Sequence, residues 1–274
     1  MNLTPRCIQL ASPSATEYGR ESIIKMDAGY VYHTIELVTN LKKYATITRI
    51  TLDIGGTPIT YDRAAIRDML DKAYKRFRKE GRIVIPLSKF EMRSPAGIYQ
   101  TALATGAGDD ITLKVEFGAK DAEDPAVPTL RACAYVSENP AAALPGGGRK
   151  FLPMRYEHVQ APAAAGDHNW TFPNGSPNKW LQRLILDESE VQVTELHIKN
   201  GTKTVEKYYR DDIEFALQRQ ADGVLQPGFL IIDFVRLGFG KNDAINTHGL
   251  GFTFVVSGKG ALKTYVDGFE QIAA

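Results

Sequence analysis

The sequence predicts an all-β protein made of two tandem modules, and three observations support this prediction. Residues 45–90 are similar to residues 191–239, so one block occurs twice. Short segments with period-two alternation, separated by glycine turns, recur along both halves. Each half contains only one good amphipathic helix, which argues against a parallel α/β sheet. Each module is therefore expected to be a sandwich, a barrel or a jelly roll.

The internal repeat has a constant register. Matched residues of the two blocks differ by 147 positions throughout. A period of this length indicates duplicated domains, because solenoid repeats are only about 20–50 residues long. The matched pairs are Tyr61 and Tyr208, Arg63 and Arg210, Ile66 and Ile213, Leu70 and Leu217, Ile85 and Ile232, and Leu87 and Phe234.

The first module is predicted to span residues 21–140. Residues 1–20 are rich in Ser, Thr and Pro and lack a strong strand period, which predicts an N-terminal arm that lies across a neighbouring copy. Alternation of polar and apolar residues then indicates eight strands. The predicted strands are 21–26, 31–38, 46–54, 58–61, 83–87, 99–104, 111–117 and 130–136.

A helix over residues 62–82 is predicted between the fourth and fifth of these strands. Asp62 can cap its start, and Gly81 can end it. Its apolar residues recur at helical spacing and form one stripe, so the helix is expected to cover its own module. The stripe consists of Ile66, Met69, Leu70, Ala73 and Phe77.

The second module is predicted to span residues 153–274, after a linker at 141–152 that is rich in Pro, Ala and Gly. It is expected to begin with a strand at 156–160 or 169–172. A strand at 181–186, the repeated block, and strands at 252–256 and 262–269 follow. Residues 161–178 are predicted to be an inserted loop that contains Trp170.

Composition excludes several classes of protein. The 33 Lys and Arg balance 32 Asp and Glu, so the composition lacks the excess of basic residues that is typical of a dedicated nucleic-acid binder. Neither a secretory signal nor an apolar run long enough to span a membrane is visible. Two cysteines are too few for a disulfide framework and fit synthesis in a cytoplasm, although a Cys7–Cys133 disulfide stays an alternative.

The sequence offers no catalytic constellation. The five histidines lack the spacing of metal ligands, so they are predicted to be structural. The run 146–150 lacks the spacing and the flanking elements of a phosphate-binding loop. Weak candidates for a structural calcium site are Asp109 with Asp110 and Asn242 with Asp243, against the simpler interpretation of polar loops.

The two predicted helices differ in charge. Residues 62–82 carry eight basic and four acidic side chains, a net charge of +4, whereas the equivalent residues 209–229 carry two and four, a net charge of −2. The basic face is either simply solvated or contacts an acidic neighbour, a lipid surface or nucleic acid. The candidate assembly residues are Lys72, Lys75, Arg76, Arg78 and Lys79.

Two β-modules in tandem, each with a helix between its fourth and fifth strands, resemble the double jelly-roll major capsid proteins of tailless icosahedral double-stranded DNA bacteriophages. The resemblance to the corticovirus type covers almost the whole chain from about residue 21. It is strongest in TELHIKNGTKTVEKYYRDDIEFALQRQADG followed by GFLIIDFVRLG, and RIVIPLSKFEMRSPAGIYQTALATG is similar to the first-barrel segment of that family.

This resemblance implies two tandem eight-stranded jelly rolls and a structural protein without enzymatic activity or cofactor. It further implies homotrimers whose six barrels form a pseudo-hexameric capsomer. Such capsomers contact neighbouring capsomers, penton proteins and minor capsid or membrane proteins, and tile a virion shell around an internal membrane and DNA. Sequence-specific nucleic-acid binding is not expected.

A jelly-roll protein of another class is the alternative. A cupin would need histidine and carboxylate ligands that converge inside a barrel, and the predicted strands do not supply them. A carbohydrate-binding protein would need exposed aromatic side chains, for which Trp170 and Trp180 are the only candidates in the sequence.

Overall fold

The computed structural model describes residues 5–272. Residues 1–4, at the start of the predicted arm, and residues 273–274, at the end of the predicted second module, lie outside the described residues. Within residues 5–272, no helix is both long and apolar enough to cross a membrane.

The first module consists of nine strands and two short helices in its described part. Its strands are β1 (Arg6–Gln9), β2 (Glu21–Met26), β3 (Tyr30–Thr39), β4 (Ile47–Ile54), β5 (Thr57–Asp62), β6 (Arg82–Pro86), β7 (Leu103–Ala104), β8 (Ile111–Phe117) and β9 (Leu130–Glu138). Its helices are α1 (Ala64–Ala73), between β5 and β6, and α2 (Pro95–Tyr99).

The second module repeats this order without a counterpart of α2. Its strands are β10 (Phe151–Gln160), β11 (Gly166–Thr171), β12 (Lys179–Asp187), β13 (Val193–Asn200), β14 (Lys203–Tyr209), β15 (Phe229–Asp233), β16 (Ile245–Asn246), β17 (Leu250–Val256) and β18 (Leu262–Gln271). Helix α3 (Arg210–Ala221) lies between β14 and β15. In the structure, residues 139–150 separate the last strand of the first module from the first strand of the second, whereas the predicted linker is 141–152.

Each module is a jelly roll of two sheets with the same strand order. In the first, the β3 sheet runs β1-β9-β3-β6 and the other sheet runs β5-β4-β8-β2. In the second, the β12 sheet runs β10-β18-β12-β15 and the other sheet runs β11-β17-β13-β14. One parallel pair, Arg155 with Thr60, joins β10 to β5 and makes a sheet continuous across both modules.

The period-two pattern explains why these segments are strands. In β2, exposed and buried residues alternate strictly, and the buried ones face a core shared by both sheets of the first module. Tyr32 and Ile35 of β3 and Leu113 of β8 are among its fully buried side chains. The second module has its own core, which includes Phe252 and Phe254.

The duplication predicted from the sequence is confirmed. Ile66 lies in α1 and Ile213 in α3, and Ile85 and Ile232 lie in β6 and β15. Leu87 and Phe234 each follow their strand directly. The strand pairings agree as well, because β6 pairs with β3 as β15 pairs with β12.

The N-terminal arm is a correction to the sequence prediction. Residues 6–9 do not lie on another copy but form β1, which pairs antiparallel with β9 of the same module and provides its first strand. The helix that follows the fourth predicted strand therefore lies between the fifth and sixth strands of the structure. Cys7 of β1 and Cys133 of β9 are free thiols, and burial raises the pKa of Cys133 to about 11.

Three other predicted elements differ from the structure. Helix α1 ends at Ala73, with Tyr74 instead of Gly81 as its C-cap, its N-cap is Arg63, and Asp62 belongs to β5. Most of the predicted strand 99–104 is instead the end of α2 and a turn, and only residues 103–104 are extended. The predicted loop 161–178 contains β11, whose Trp170 is buried in the second core.

Deleting residues 2–10 is expected to destabilise the first module rather than leave it intact. The deletion removes β1 and the backbone hydrogen bond from Leu10 N–H to the Ala132 carbonyl, and it turns β9 into an unpaired edge. Each lost hydrogen bond costs on the order of 1 kcal/mol. Thermal unfolding followed by circular dichroism measures the loss. An unchanged midpoint would contradict the role of β1 as a strand of the barrel.

Candidate assembly site at the junction of the modules

The first helix lies between the two modules. Ile66, Met69 and Leu70 of α1 form a hydrophobic cluster with side chains of the second module, and the cluster is separate from either barrel core. Its partners on the β12 sheet include Ile185 and Ile231, which point away from the core of their own module. The apolar stripe of α1 was expected to cover its own module, but it packs on the second module, so this helix joins the two modules.

A network of buried charges lies beside this cluster and crosses the junction. Asp267 on β18 is its centre: its carboxylate oxygens lie 2.9 Å from Nζ of Lys89 and 3.4 Å from Nε of Arg155. Nη1 of Arg183 is 3.7 Å from the same carboxylate. Lys89 belongs to the first module, so this contact holds the modules together.

Two more buried acidic residues belong to the network. Asp62, at the end of β5, lies 3.1 Å from Nη1 of Arg155 and 2.7 Å from Nε of Arg67, although the second pair is not aligned for a hydrogen bond. Asp233 lies 2.9 Å from Nε of Arg183. Since burying an unpaired charge is costly, these carboxylates and cations depend on one another.

Helix α1 ends in this network. The Tyr74 hydroxyl donates to Oδ2 of Asp233 at 2.5 Å, and the guanidinium of Arg183 lies 4.7 Å from the centre of the Tyr74 ring. Burial raises the pKa of Tyr74 well above its ordinary value, so the phenol stays a donor. The Ala73 carbonyl accepts from Val224 N–H at 2.7 Å. Contacts with the second module thus fix where the helix stops.

The charges in the network shift the pKa values of Asp267 and Lys89. Burial would raise the pKa of Asp267, but Lys89, Arg155 and Arg183 hold it well below its ordinary range. Burial lowers the pKa of Lys89 to about 8, and Asp267 opposes that shift. The carboxylate is therefore ionised at neutral pH and binds its cations, which suits a structural connection between modules.

The five predicted assembly residues do not share one helical face. Only Lys72 lies in α1, where it pairs with Asp68 at 3.0 Å. The others follow the helix: Lys75 pairs with Asp222 at 2.6 Å, and Arg76 pairs with Glu91 at 2.9 Å. Arg78 also pairs with Asp68, and Lys72, Arg78 and Lys79 line a groove of about 690 Å³ with Lys42, Lys43 and Phe229.

The candidate calcium ligands already contact protein groups. Asp109 accepts from Gly106 N–H and pairs with Arg149 at 3.0 Å, and Asp110 pairs with Lys25 at 2.7 Å. Asp243 accepts from Phe239 N–H at 2.8 Å. Asn242 ends a short 3-10 turn. The described part of the chain contains no cluster of three His, Cys, Asp or Glu suited to a metal.

Sequence reasoning missed the residues of the buried network. A signal for them was present, since Arg183 directly precedes the apolar run 184–186 of β12 and Asp267 directly follows Val266 of β18. A charged residue in a buried strand is rare unless a partner of opposite charge lies nearby. The partners could not be read from the sequence, because they come from four elements and one loop that are distant along the chain.

Comparison with known proteins agrees with the fold and the duplication. The model of the viral coat protein P2 N-terminal domain matches residues 7–137, and that of the P2 C-terminal domain matches residues 152–272. The chain belongs to the viral coat protein P2 family. This is a family of structural capsid proteins and not of enzymes, and its members reside in the virion capsid. The carbohydrate-binding or cupin-like alternative is not favoured.

Solved structures of viral capsid proteins share the fold. The major capsid protein P2 from bacteriophage PM2 has 16% sequence identity and a TM-score of 0.83, with 98% of each chain covered. The Sulfolobus turreted icosahedral virus structure has 11% identity and a TM-score of 0.71, with 98% of this chain and 91% of that chain covered. The PBCV-1 capsid has 10% identity and a TM-score of 0.67, with 97% of this chain and 93% of that chain covered. No curated protein matches the sequence.

Proposed function

We propose that this coat protein forms homotrimers, whose six jelly rolls make a pseudo-hexagonal capsomer. The observation that supports this most is the junction, because it fixes two equivalent barrels side by side in one chain. Three such chains related by threefold symmetry place six similar modules around one axis. The capsomers then tile an icosahedral shell around an internal membrane and double-stranded DNA.

The partners that follow from this proposal are neighbouring capsomers, penton proteins, and minor capsid or membrane proteins, with the internal membrane as a further contact. The protein would be made in the host cytoplasm. Calcium binding at Asp109 and Asp110, or at Asn242 and Asp243, stays a prediction, in which the cation would compete with Lys25 and Arg149 for the first pair.

The test of this function is the mass of the purified protein and the shape of its particles. Light scattering after gel filtration should give three times the 30.2 kDa of the chain, and electron micrographs should show pseudo-hexagonal capsomers. The interface should be of the large obligate kind, above about 2,000 Å² in total. A stable monomer at micromolar concentration would contradict the proposal.

Lys72→Glu combined with Lys79→Glu is expected to leave the trimer intact and to reduce the yield of assembled particles. Both lysines line the basic groove, where they would face an acidic neighbour or anionic lipid. A single exposed pair contributes only about 0–1 kcal/mol, so the effect arises from many copies and is weakened by salt. Sedimentation at low and high salt measures the yield.

The matched control carries the same change of charge on the second module. Lys203 and Lys259 are exposed and distant along the chain from the groove, so their replacement by glutamate should have less effect on the yield. Equal yields for the groove variant and the wild type would show that this groove is only solvated.

A further inference from the structure

Two equivalent residues of the duplicated modules contact each other. Lys75 is the second residue after α1, Asp222 is the first residue after α3, and the two are 147 positions apart, the constant offset of the repeat. Nζ of Lys75 lies 2.6 Å from Oδ1 of Asp222, and both side chains are at least half exposed. Both residues have a φ of 52°, the left-handed conformation that ends a helix.

A contact between equivalent positions constrains how the two modules are related. The operation that moves the first module onto the second also moves residue 75 onto residue 222. A pure translation would separate every such pair by the width of a module, because the barrels cannot overlap. A rotation keeps the two residues of such a pair close together only if the pair lies near the rotation axis. The ion pair therefore places the axis between the modules beside Lys75 and Asp222.

The two helices differ in how much of their surface the chain covers. Seven of the ten residues of α1 are buried, whereas only two of the twelve residues of α3 are, Ile213 and Leu217. The difference arises because the β12 sheet of the second module covers α1. The described residues contain no third module that could cover α3 in the same way.

The first module carries the equivalent surface. On its β3 sheet, Glu36 pairs with Val84 as Ile185 pairs with Ile231 on the β12 sheet, so Glu36 and Val84 occupy the positions of the two isoleucines that contact α1. Phe77, which is 89% exposed, occupies the position of Val224, whose N–H binds the end of α1. The position of Ile231 thus stays apolar in Val84, whereas the position of Ile185 is taken by Glu36, whose carboxylate pairs with Arg82 at 2.7 Å, and this surface covers no helix in the single chain.

We propose that a second copy of the chain repeats the junction, so that its β3 sheet covers α3 and its Lys75 pairs with Asp222 of the first copy. The closure of this arrangement after three copies rests on the proposed trimer. Lys75 and Asp222 then alternate six times around the threefold axis, and each charge has an opposite charge on both sides. The partner is another copy of this chain.

Disulfide trapping between two different variants tests the contact between copies. One chain carries Lys75→Cys and the other carries Asp222→Cys, both with Cys7→Ser, and they are co-expressed with different affinity tags. Since neither chain holds both new cysteines, only a contact between copies can join them. After mild oxidation we expect a covalent species with both tags and twice the 30.2 kDa chain mass.

The matched control uses an ion pair of similar geometry away from the junction. Lys25 and Asp110 are exposed and 2.7 Å apart within the first module, so Lys25→Cys and Asp110→Cys on separate chains should give no species with both tags. Trimers without the trapped species would overturn the proposed contact and leave the trimer standing. Monomers by light scattering would overturn both.

Charge reversal gives a second measurement. Lys75→Asp places six acidic side chains around the axis, and Asp222→Lys places six basic ones, so each should raise the dissociation constant of the trimer about tenfold or more. The two changes together restore the alternation and should restore the trimer. If the double variant dissociates as readily as the single ones, the alternating ring is wrong.

Discussion

Asp267→Asn is expected to lower the free energy of unfolding by about 3–5 kcal/mol, because it leaves buried cations without their carboxylate. Lys89, Arg155 and Arg183 all face Asp267, and each of these side chains is almost fully buried. An amide of the same size keeps the packing and removes only the charge. Urea unfolding followed by circular dichroism measures the loss, and the same denaturation curve should show whether the modules still unfold together.

The control for this variant is Glu270→Gln on the same strand. The Glu270 side chain is 44% exposed and lies as far as 4.0 Å from Nζ of Lys179, so its loss should cost no more than about 1 kcal/mol. Equal losses for the two variants would contradict the central role of Asp267.

The pH dependence of stability provides an independent check of the same network. The folded pKa of Asp267 is below its ordinary value, so its contribution is present above the unfolded carboxyl pKa. That contribution is lost as the pH falls through the lowered folded pKa. The wild type should therefore lose more stability than Asp267→Asn when the pH is lowered below about 4. Identical acid profiles would show that Asp267 is not held by its cations.

Trp170→Ala is expected to lower the free energy of unfolding by about 3–5 kcal/mol, the usual cost of truncating a large buried aromatic side chain. Trp170 is 6% exposed, and its ring centre lies 5.6 Å from that of Phe252 and 5.7 Å from that of Phe172. Removing it leaves a cavity in the second core, which the rigid sheets on both sides cannot fill. Urea unfolding followed by far-ultraviolet circular dichroism measures the effect without relying on tryptophan fluorescence.

Trp180→Ala is the matched control, since Trp180 is the other tryptophan of the chain. It is half-buried, stacks on Phe269 at 5.4 Å, and has Nζ of Lys241 3.8 Å from its ring centre. Its truncation should cost clearly less than that of Trp170. A smaller loss for Trp170 than for Trp180 would contradict the placement of Trp170 in the core.

The regular strands were predictable because a strand with one buried face has a local signature. The predicted segments 21–26 and 111–117 match β2 and β8 within their bounds, and the constant offset correctly paired the two modules. The first strand was missed because β1 has only four residues, and three of them are exposed. A short edge strand carries almost no periodicity, and its pairing with β9 depends on residues more than 120 positions away.

The predicted end of the first helix was wrong for a physical reason. Residues 74–80 contain good helix formers, and Phe77 continues the apolar stripe, so local propensity favours a longer helix. The structure instead ends the helix where Tyr74 binds Asp233 of the other module, and Phe77 is exposed. A local pattern cannot predict a stop that is set by a distant residue, nor can it predict which charges meet at the junction.

The unequal charge of the two modules bears on the fidelity of the shell. A hexagonal position in a lattice accepts a pseudo-hexagonal trimer in two orientations that differ by a turn of 60°. With six identical modules the two orientations would be indistinguishable, and every position could be filled in either way. Here one module presents the basic segment 62–82 and the other the acidic segment 209–229. In the proposed trimer, a turn of 60° would exchange the basic and the acidic segments, so the two orientations would differ in charge and would not be equivalent.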